Sequence, residues 1–281
     1  TLNDARGPEA VARRIVSELK DHPALLAWYI SDEEPRENVP NILRLREMVS
    51  AIDPWHPVWT LTCFYHTLPY YAISGDIVGI DLYPIAHDKP YSTVKPIIDA
   101  MRQGNSAGLP VWAVPQIFNW GTYAHKNDPA AFAKGRAPTQ DEMTAMALLY
   151  AISGARGFVF YSDFDLYHRA EKLAPGTREA EWRKVCNMVG IIKRLEPYLM
   201  SNRAAERVNI EKRVNALARS FADEQGRYCV LAASTDRGAS LTFSVPGHGN
   251  LISLLGRTRN LGGGRYEFVA PEIAGDVLIE K

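Results

Sequence analysis

Five short apolar runs alternate with amphipathic stretches through roughly the first two hundred residues, and this alternation narrows the choice of folds more than any other feature. The runs predict strands at 24–30, 58–64, 77–83, 111–118 and 157–162. The stretches 8–21, 40–52, 93–102, 141–153 and 178–198 carry apolar residues at helical spacing, as in Val11, Ile15, Val16 and Leu19. Strand, helix, strand in repetition is the mark of βαβ units and a parallel sheet. Runs as apolar as 24–30, bounded by chain breakers, fit strands covered on both faces.

The pattern changes near residues 200–212. Short alternating segments at 216–221, 228–233, 240–245, 251–255, 265–269 and 276–280 follow, separated by turn signals such as Asp236-Arg237-Gly238 and Gly262-Gly263-Gly264. They predict a small antiparallel β-sandwich. The expected domains are therefore 1–205, an α/β unit of the catalytic type, and 206–281, the sandwich. Between them in character is the polar stretch 119–138, too long for a simple connection and suited to a lid or binding segment. Thr139 to Glu142 then reads as a capping box opening a helix.

Equal numbers of basic and acidic residues, 32 each, leave no net charge, and no basic stripe is present. Nucleic acid is thus not an expected partner. No apolar run approaches the ~20 residues that span a bilayer, so no membrane is expected either. Cys63, Cys186 and Cys229 lie far apart and read as buried thiols packing like small apolar groups. His66, His87 and His125 follow strand ends, but no two share a helix at ligand spacing, and no metal is expected. No glycine-rich phosphate loop follows a strand; Gly262–Gly264 read as a hairpin turn, and no cofactor is expected. Thr1 begins a segment without a signal peptide or initiator Met, which removal of a leader or truncation of a longer product would each explain.

The most informative segment is His22–Pro35, where the first apolar run ends in Asp32, Glu33, Glu34 and a proline. In parallel α/β folds the functional groups gather beyond the carboxyl ends of the strands. Three acids there suit a proton donor; they equally suit a solvated loop ahead of the next helix.

The ordered motifs HPALLAWYISDEEP, DPWHPVW, DIVGIDLYPI, PVWAVPQIFNWG, APTQDEM and SGARGFVFYSDFDL resemble (β/α)8-barrel glycoside hydrolases of the clan-A type. More narrowly, they are similar to bacterial glycosidase-like barrels whose strands end in W-Y-x-x-D-E-P, D-x-Y-P and V-W-x-V-x-Q-x-F. The resemblance covers about residues 8–200 and implies a TIM-type barrel, here partial with about five βα units, followed by a β-sandwich. It implies that the first strand here stands in the family's fourth position, leaving three units outside this chain. The chain would then be a piece of a longer barrel, a half-barrel sealed as a homodimer along its open edges, or one completed from elsewhere. A complete open sheet of five strands is the competing count.

The resemblance further implies a carbohydrate substrate, an extracellular or periplasmic location, and hydrolysis by two carboxyl groups flanking the scissile bond. Glu33 matches the general acid/base, with Asp32 beside it as a binding or pKa-setting neighbour. Glu34 stands where the family has proline, so Glu33 and Glu34 are open to exchanging roles. The family's nucleophile position is held by Gln116, an amide that can bind sugar but not attack it. Asp81, Asp163 and Asp165 are the candidates for the second carboxylate, although Asp81 reads at least as readily as a structural acid bonded to loop amides, and Asp163 and Asp165 as a turn or cap. Tyr83, Trp120 and Tyr161 are candidate sugar-stacking residues, whereas Trp28 and Trp112 read as core. The alternatives to a glycosidase are a non-catalytic carbohydrate-binding barrel and an inactive fragment of a longer enzyme.

Overall fold

The structure, a computed structural model, describes residues 8–85, 93–123 and 128–280. It divides into two compact units, one of residues 1–81 and 100–113, the other of 82–99 and 114–281.

The first unit holds α1 (Pro8–Leu19), β1 (Trp28–Asp32), α2 (Val39–Ile52), β2 (Val58–Thr62), the single turn α3 (Leu68–Tyr71), β3 (Ile77–Ile80), the later turns of α4 (Pro96–Ser106) and β4 (Val111–Ala113). Strands β1 to β4 pair in parallel in chain order. The apolar side of α1 and α2 closes over β1 and β2 through Val16, Trp28, Met48, Val49 and Val58. Asp53 ties the strand entries together. Its carboxylate accepts the Trp28 indole N–H at 2.8 Å, the Trp55 and His56 amides, and lies 2.7 Å from His56 Nδ1. Burial opposes ionisation of Asp53, but these donors outweigh it and hold the carboxyl below its usual range.

Strand β1 starts four residues later than its sequence predicts. Ala24 and Leu25 donate to His22 Nδ1 and His22 O, closing a turn that leaves Leu26 69% exposed despite its apolar character. Strand β4 is also shorter than predicted, because Pro115 has no N–H to continue the ladder.

The second unit carries α5 (Pro129–Lys134), α6 (Gln140–Ile152), β5 (Gly157–Phe158), a π-helical turn (Asp165–Ala170), α7 (Glu171–Leu173) and α8 (Thr177–Leu199). The parallel series runs β1-β2-β3-β4-β5. Within the stretch expected to form a lid or binding segment, Pro129–Lys134 form the short helix α5, capped by the Asp128 side chain. The capping box at Thr139 forms as read, the Thr139 hydroxyl accepting Glu142 N–H while Glu142 accepts Thr139 N–H.

Eight further strands make two antiparallel sheets: β6 (Asn209–Val214), β7 (Ala216–Ala222), β8 (Tyr228–Ser234), β9 (Ala239–Ser244), β10 (Ile252–Ser253), β11 (Thr258–Gly262), β12 (Arg265–Ala270) and β13 (Gly275–Ile279). One sheet is ordered β10-β13-β8-β7, the other β11-β12-β9-β6. Their facing side chains, among them Tyr228, Val230, Leu241, Phe243, Tyr266 and Phe268, form one core. Gly262, Gly263 and Gly264 make the β11–β12 hairpin turn with positive φ, as predicted.

Helix α6 is buried on every side from Glu142 to Ile152 and lies on β7, β8 and β13. Gly275 permits this approach, since a Cβ there would stand 2.7 Å from Leu148 Cδ1. Within the second unit, helix and sandwich thus share one interior.

Candidate active site

Three consecutive strands of the first unit end in polar groups: Glu33 after β1, Cys63 after β2 and Asp81 after β3. Parallel pairing brings these termini to one edge, the edge where barrel enzymes hold their reacting groups.

The local geometry of β1 decides which side chains face the site. Tyr29 pairs with Trp59 and Ser31 with Thr60, so one residue is bulged out of the ladder. A bulge shifts the alternation by one. Trp28 and Ser31 consequently point inward, and Tyr29 and Asp32 outward together. Glu33 follows with φ of 51°, the left-handed region that a side chain rarely occupies. Its amide still donates to Leu61 O at 3.0 Å, which fixes the turn.

Asp81 is only 3% exposed and hydrogen-bonds Glu33. Burial first, then the bond to Glu33 and the charges of Glu33 and Asp32, push its carboxyl up to about 8. Asp81 therefore keeps a proton at neutral pH. Cys63 also bonds Glu33; burial and that neighbour raise its thiol to about 12, so it stays a neutral donor rather than a nucleophile. Tyr29 bonds Asp32, and burial together with the nearby carboxylates raises its hydroxyl as well. Glu33 and Asp32 are the exposed members of this cluster, Asp81 the buried one.

An indole wall accompanies the cluster. Trp59 packs at 4.5 Å from the Tyr29 ring and 5.5 Å from Trp112. Gly79 leaves the room for it, because a Cβ there would meet Trp59 Nε1 at 2.5 Å. Trp112 is half-buried in this stack, and Trp28 is core, as its sequence position predicts.

Glu34 turns away from the other acids. Its carboxylate accepts the Asn38 amide at 2.6 Å and its carbonyl the Tyr71 hydroxyl.

The second unit assembles the aromatic candidates separately. Tyr83 and Tyr161 stack at 5.4 Å, and Trp120 donates its indole N–H to Tyr83 O at 3.1 Å. Phe118, 1% exposed, touches the rings of Tyr83, Trp120, Tyr123 and Tyr161 from within. Tyr123 donates to Asp165 at 2.8 Å. Asp165 is fully buried, also accepting Ser162 Oγ and Arg169. Asp163 is an exposed acid whose partner is Arg178 at 3.8 Å.

Gln116 is fully buried, its amide accepting Ile85 N–H and donating to Ile85 O and Phe118 O. It clamps backbone with both of its N–H groups and, being fully buried, does not present its amide at the surface.

His66 packs on Tyr65, while His87 and His125 lie outside the described residues. Among the described residues no cluster of His, Cys, Asp and Glu has the makings of a metal site, and no helix is long and apolar enough to cross a membrane.

By sequence, the chain matches no family model and none of the curated proteins. Solved structures do resemble it. An α-amylase from Anoxybacillus shares 10% identity over 100% of this chain and 64% of its own, with a TM-score of 0.55. A family 5 glycoside hydrolase from Bacteroides vulgatus shares 13% over 96% and 65%, also at 0.55. An α-amylase from Geobacillus thermoleovorans solved with acarbose shares 8% over 99% and 65%, at 0.51. The fold is that of glycoside-hydrolase barrels. It is a partial one, five parallel strands followed by an antiparallel sandwich, and the chain spans less than two thirds of the length of each of these structures.

Three residues of the carboxyl cluster escaped the sequence reading. Tyr29 and Trp59 sit inside apolar runs, where aromatics signal core. Cys63 reads in the sequence as a buried thiol, but it is only partly buried and stands at a strand end equivalent to those of Glu33 and Asp81. Cys186 also departs from that reading, being exposed.

Proposed function

We propose that this chain carries the acid/base centre of a glycoside hydrolase, with Glu33 as the group that meets the glycosidic oxygen. The observation that carries the reading is the Glu33–Asp81 pair, an exposed carboxyl hydrogen-bonded to a buried one that holds a proton at neutral pH. Two such groups titrate as a unit. In the proposed reaction the proton held on Asp81 passes to Glu33, which gives it to the leaving oxygen; Asp81 itself is too buried to meet substrate. Asp32, exposed and oriented by Tyr29, is the second carboxylate, placed to stabilise positive charge developing on the sugar ring.

The test is hydrolysis of a panel of α- and β-aryl glycosides by the chain and by Glu33→Gln. Loss of a general acid lowers kcat by about 10²–10⁴-fold. A Glu33→Gln protein as fast as the parent would sink the assignment.

A second reading, carbohydrate binding without turnover, is favoured by a separate observation. Tyr161 and Tyr123 remain 39% and 41% exposed on an aromatic cluster with a rigid base, while Gln116 offers no reacting group. Under that reading Tyr161→Ala lowers glycan affinity in affinity electrophoresis, Glu33→Gln leaves it unchanged, and no glycoside is cleaved.

A further inference from the structure

A cavity of about 630 Å³ in the second unit lies where the end of α8, the segment 201–208 and strand β7 meet. Its wall carries Arg156, Arg203, Arg207 and Arg219, and no Asp or Glu lines it. Arg156 donates to Leu199 O at 2.9 Å, and Arg219 to Ile152 O at 3.1 Å. Those carbonyls end α8 and α6, so two guanidinium groups are held in place by the negative ends of helices. Arg203 is engaged at the rim, donating to Glu224 O and lying over Gly226. Arg207 has no hydrogen bond or ion pair among the described residues. None of the four has a carboxylate partner there, whereas most arginines elsewhere in the second unit do.

Uncompensated like charge at one wall is unfavourable unless something else supplies the opposite sign. The strain is visible in Arg219, whose guanidinium is pushed below its usual range, first by partial burial and then by the charges of Arg156 and Arg207. A single carboxylate would leave excess positive charge. A tetrahedral oxyanion with two charges matches planar, multiply donating guanidinium groups. The cavity is also many times the ~30 Å³ share of one water, leaving room for more than the ion itself. Tyr198 and Phe221 supply apolar wall beside the arginines.

We propose that the cavity walled by Arg156, Arg207 and Arg219 binds a doubly charged oxyanion, a phosphate or sulfate group, free or as an ester on a small molecule. Two of its three cations are pre-set by helix ends, and Arg207 closes on the ligand.

The test is calorimetric titration of the intact chain at low salt with inorganic phosphate, inorganic sulfate, glucose 6-phosphate and glucose. Phosphate or sulfate should bind with a Kd below about 1 mM, and glucose should not bind at this site. A charged hydrogen bond of about 1.5–3 kcal/mol predicts that Arg207→Gln weakens binding about 10- to 150-fold. Arg207→Lys should recover part of the loss. Tighter binding of glucose 6-phosphate than of phosphate would assign the ester; equal binding would assign the free ion. Arg207 makes no described bond and adds like charge to the wall, so its loss should not lower, and should slightly raise, the unfolding temperature of the unliganded chain. Phosphate should raise the unfolding temperature of the parent and not of the variant. Absence of binding by all charged probes up to about 10 mM, or equal affinity of parent and Arg207→Gln, would overturn the proposal.

Discussion

The carboxyl cluster of the first unit and the aromatic cluster of the second are built on opposite principles. Around Glu33 nearly every local term is unfavourable: a left-handed φ on a side-chain-bearing residue, a buried acid, and neighbouring acids of like charge. Around Phe118 every group is satisfied, with ring against ring, Trp120 and Tyr123 donating to fixed acceptors, and Gln116 saturated below. Strain that persists in a folded protein concentrates where chemistry or binding needs it. Under the proposed function the first region is the one that serves reaction, and the second is built for rigidity, with a stacking surface as its by-product.

Mutations should separate the two. The largest stability loss belongs to the aromatic region: Phe118→Ala should cost about 3–5 kcal/mol in urea unfolding by removing the ring on which four others rest. A loss below ~1 kcal/mol would dissolve the contrast from that side.

Asp81→Asn tests the other side through pH. A carboxyl raised from 3.8 to about 8 keeps its proton in the folded chain over a range where the unfolded chain has lost it. Folding then takes up a proton, so stability falls as pH climbs between those values, by up to about 1.4 kcal/mol per pH unit, and levels off above. Asp81→Asn removes that slope, so the variant should gain on the parent steadily between pH 4 and 8. Unfolding curves with the same slope in both proteins would show that the cluster carries no such cost. Under the proposed mechanism, kcat of the parent should decline as pH passes about 8, and Asp81→Asn should move that decline to lower pH.

The smallest effect sharpens the comparison most. Under the proposed mechanism Glu33→Gly should abolish turnover, and in any case it should stabilise the fold by about 1 kcal/mol, because glycine accepts φ of 51° without strain. Destabilisation instead would mean that Glu33 is a structural residue.

How much of this was legible in the sequence depended on where burial coincided with chemistry. Strands β2 and β3 were readable because every residue in them is buried, so composition alone marks them. Strands β6 and β11 were not. They are sheet edges with almost wholly exposed side chains, as Lys212 and Arg213 illustrate, and therefore lack the alternation that signals a half-buried strand. The acids were legible at strand ends, yet their grouping was not, because it depends on the bulge after Tyr29, which moves Asp32 to the face of Tyr29. Gln116 was found by motif position, but its amide serves Ile85 and Phe118, partners 31 and 2 residues away that no local pattern connects.

The close seat of α6 on Gly275 bears on how such proteins can be recombined. The change of character at residues 200–212 invites the view of a detachable tail, to be cut off, swapped or grafted at will. Removing residues 206–280 would instead uncover the flank of α6 that β7, β8 and β13 now cover, and Leu148 with it. An apolar strip of that kind in water favours aggregation over independent folding. Exchange at this junction would therefore succeed only between chains that trade the helix together with the sheet it rests on.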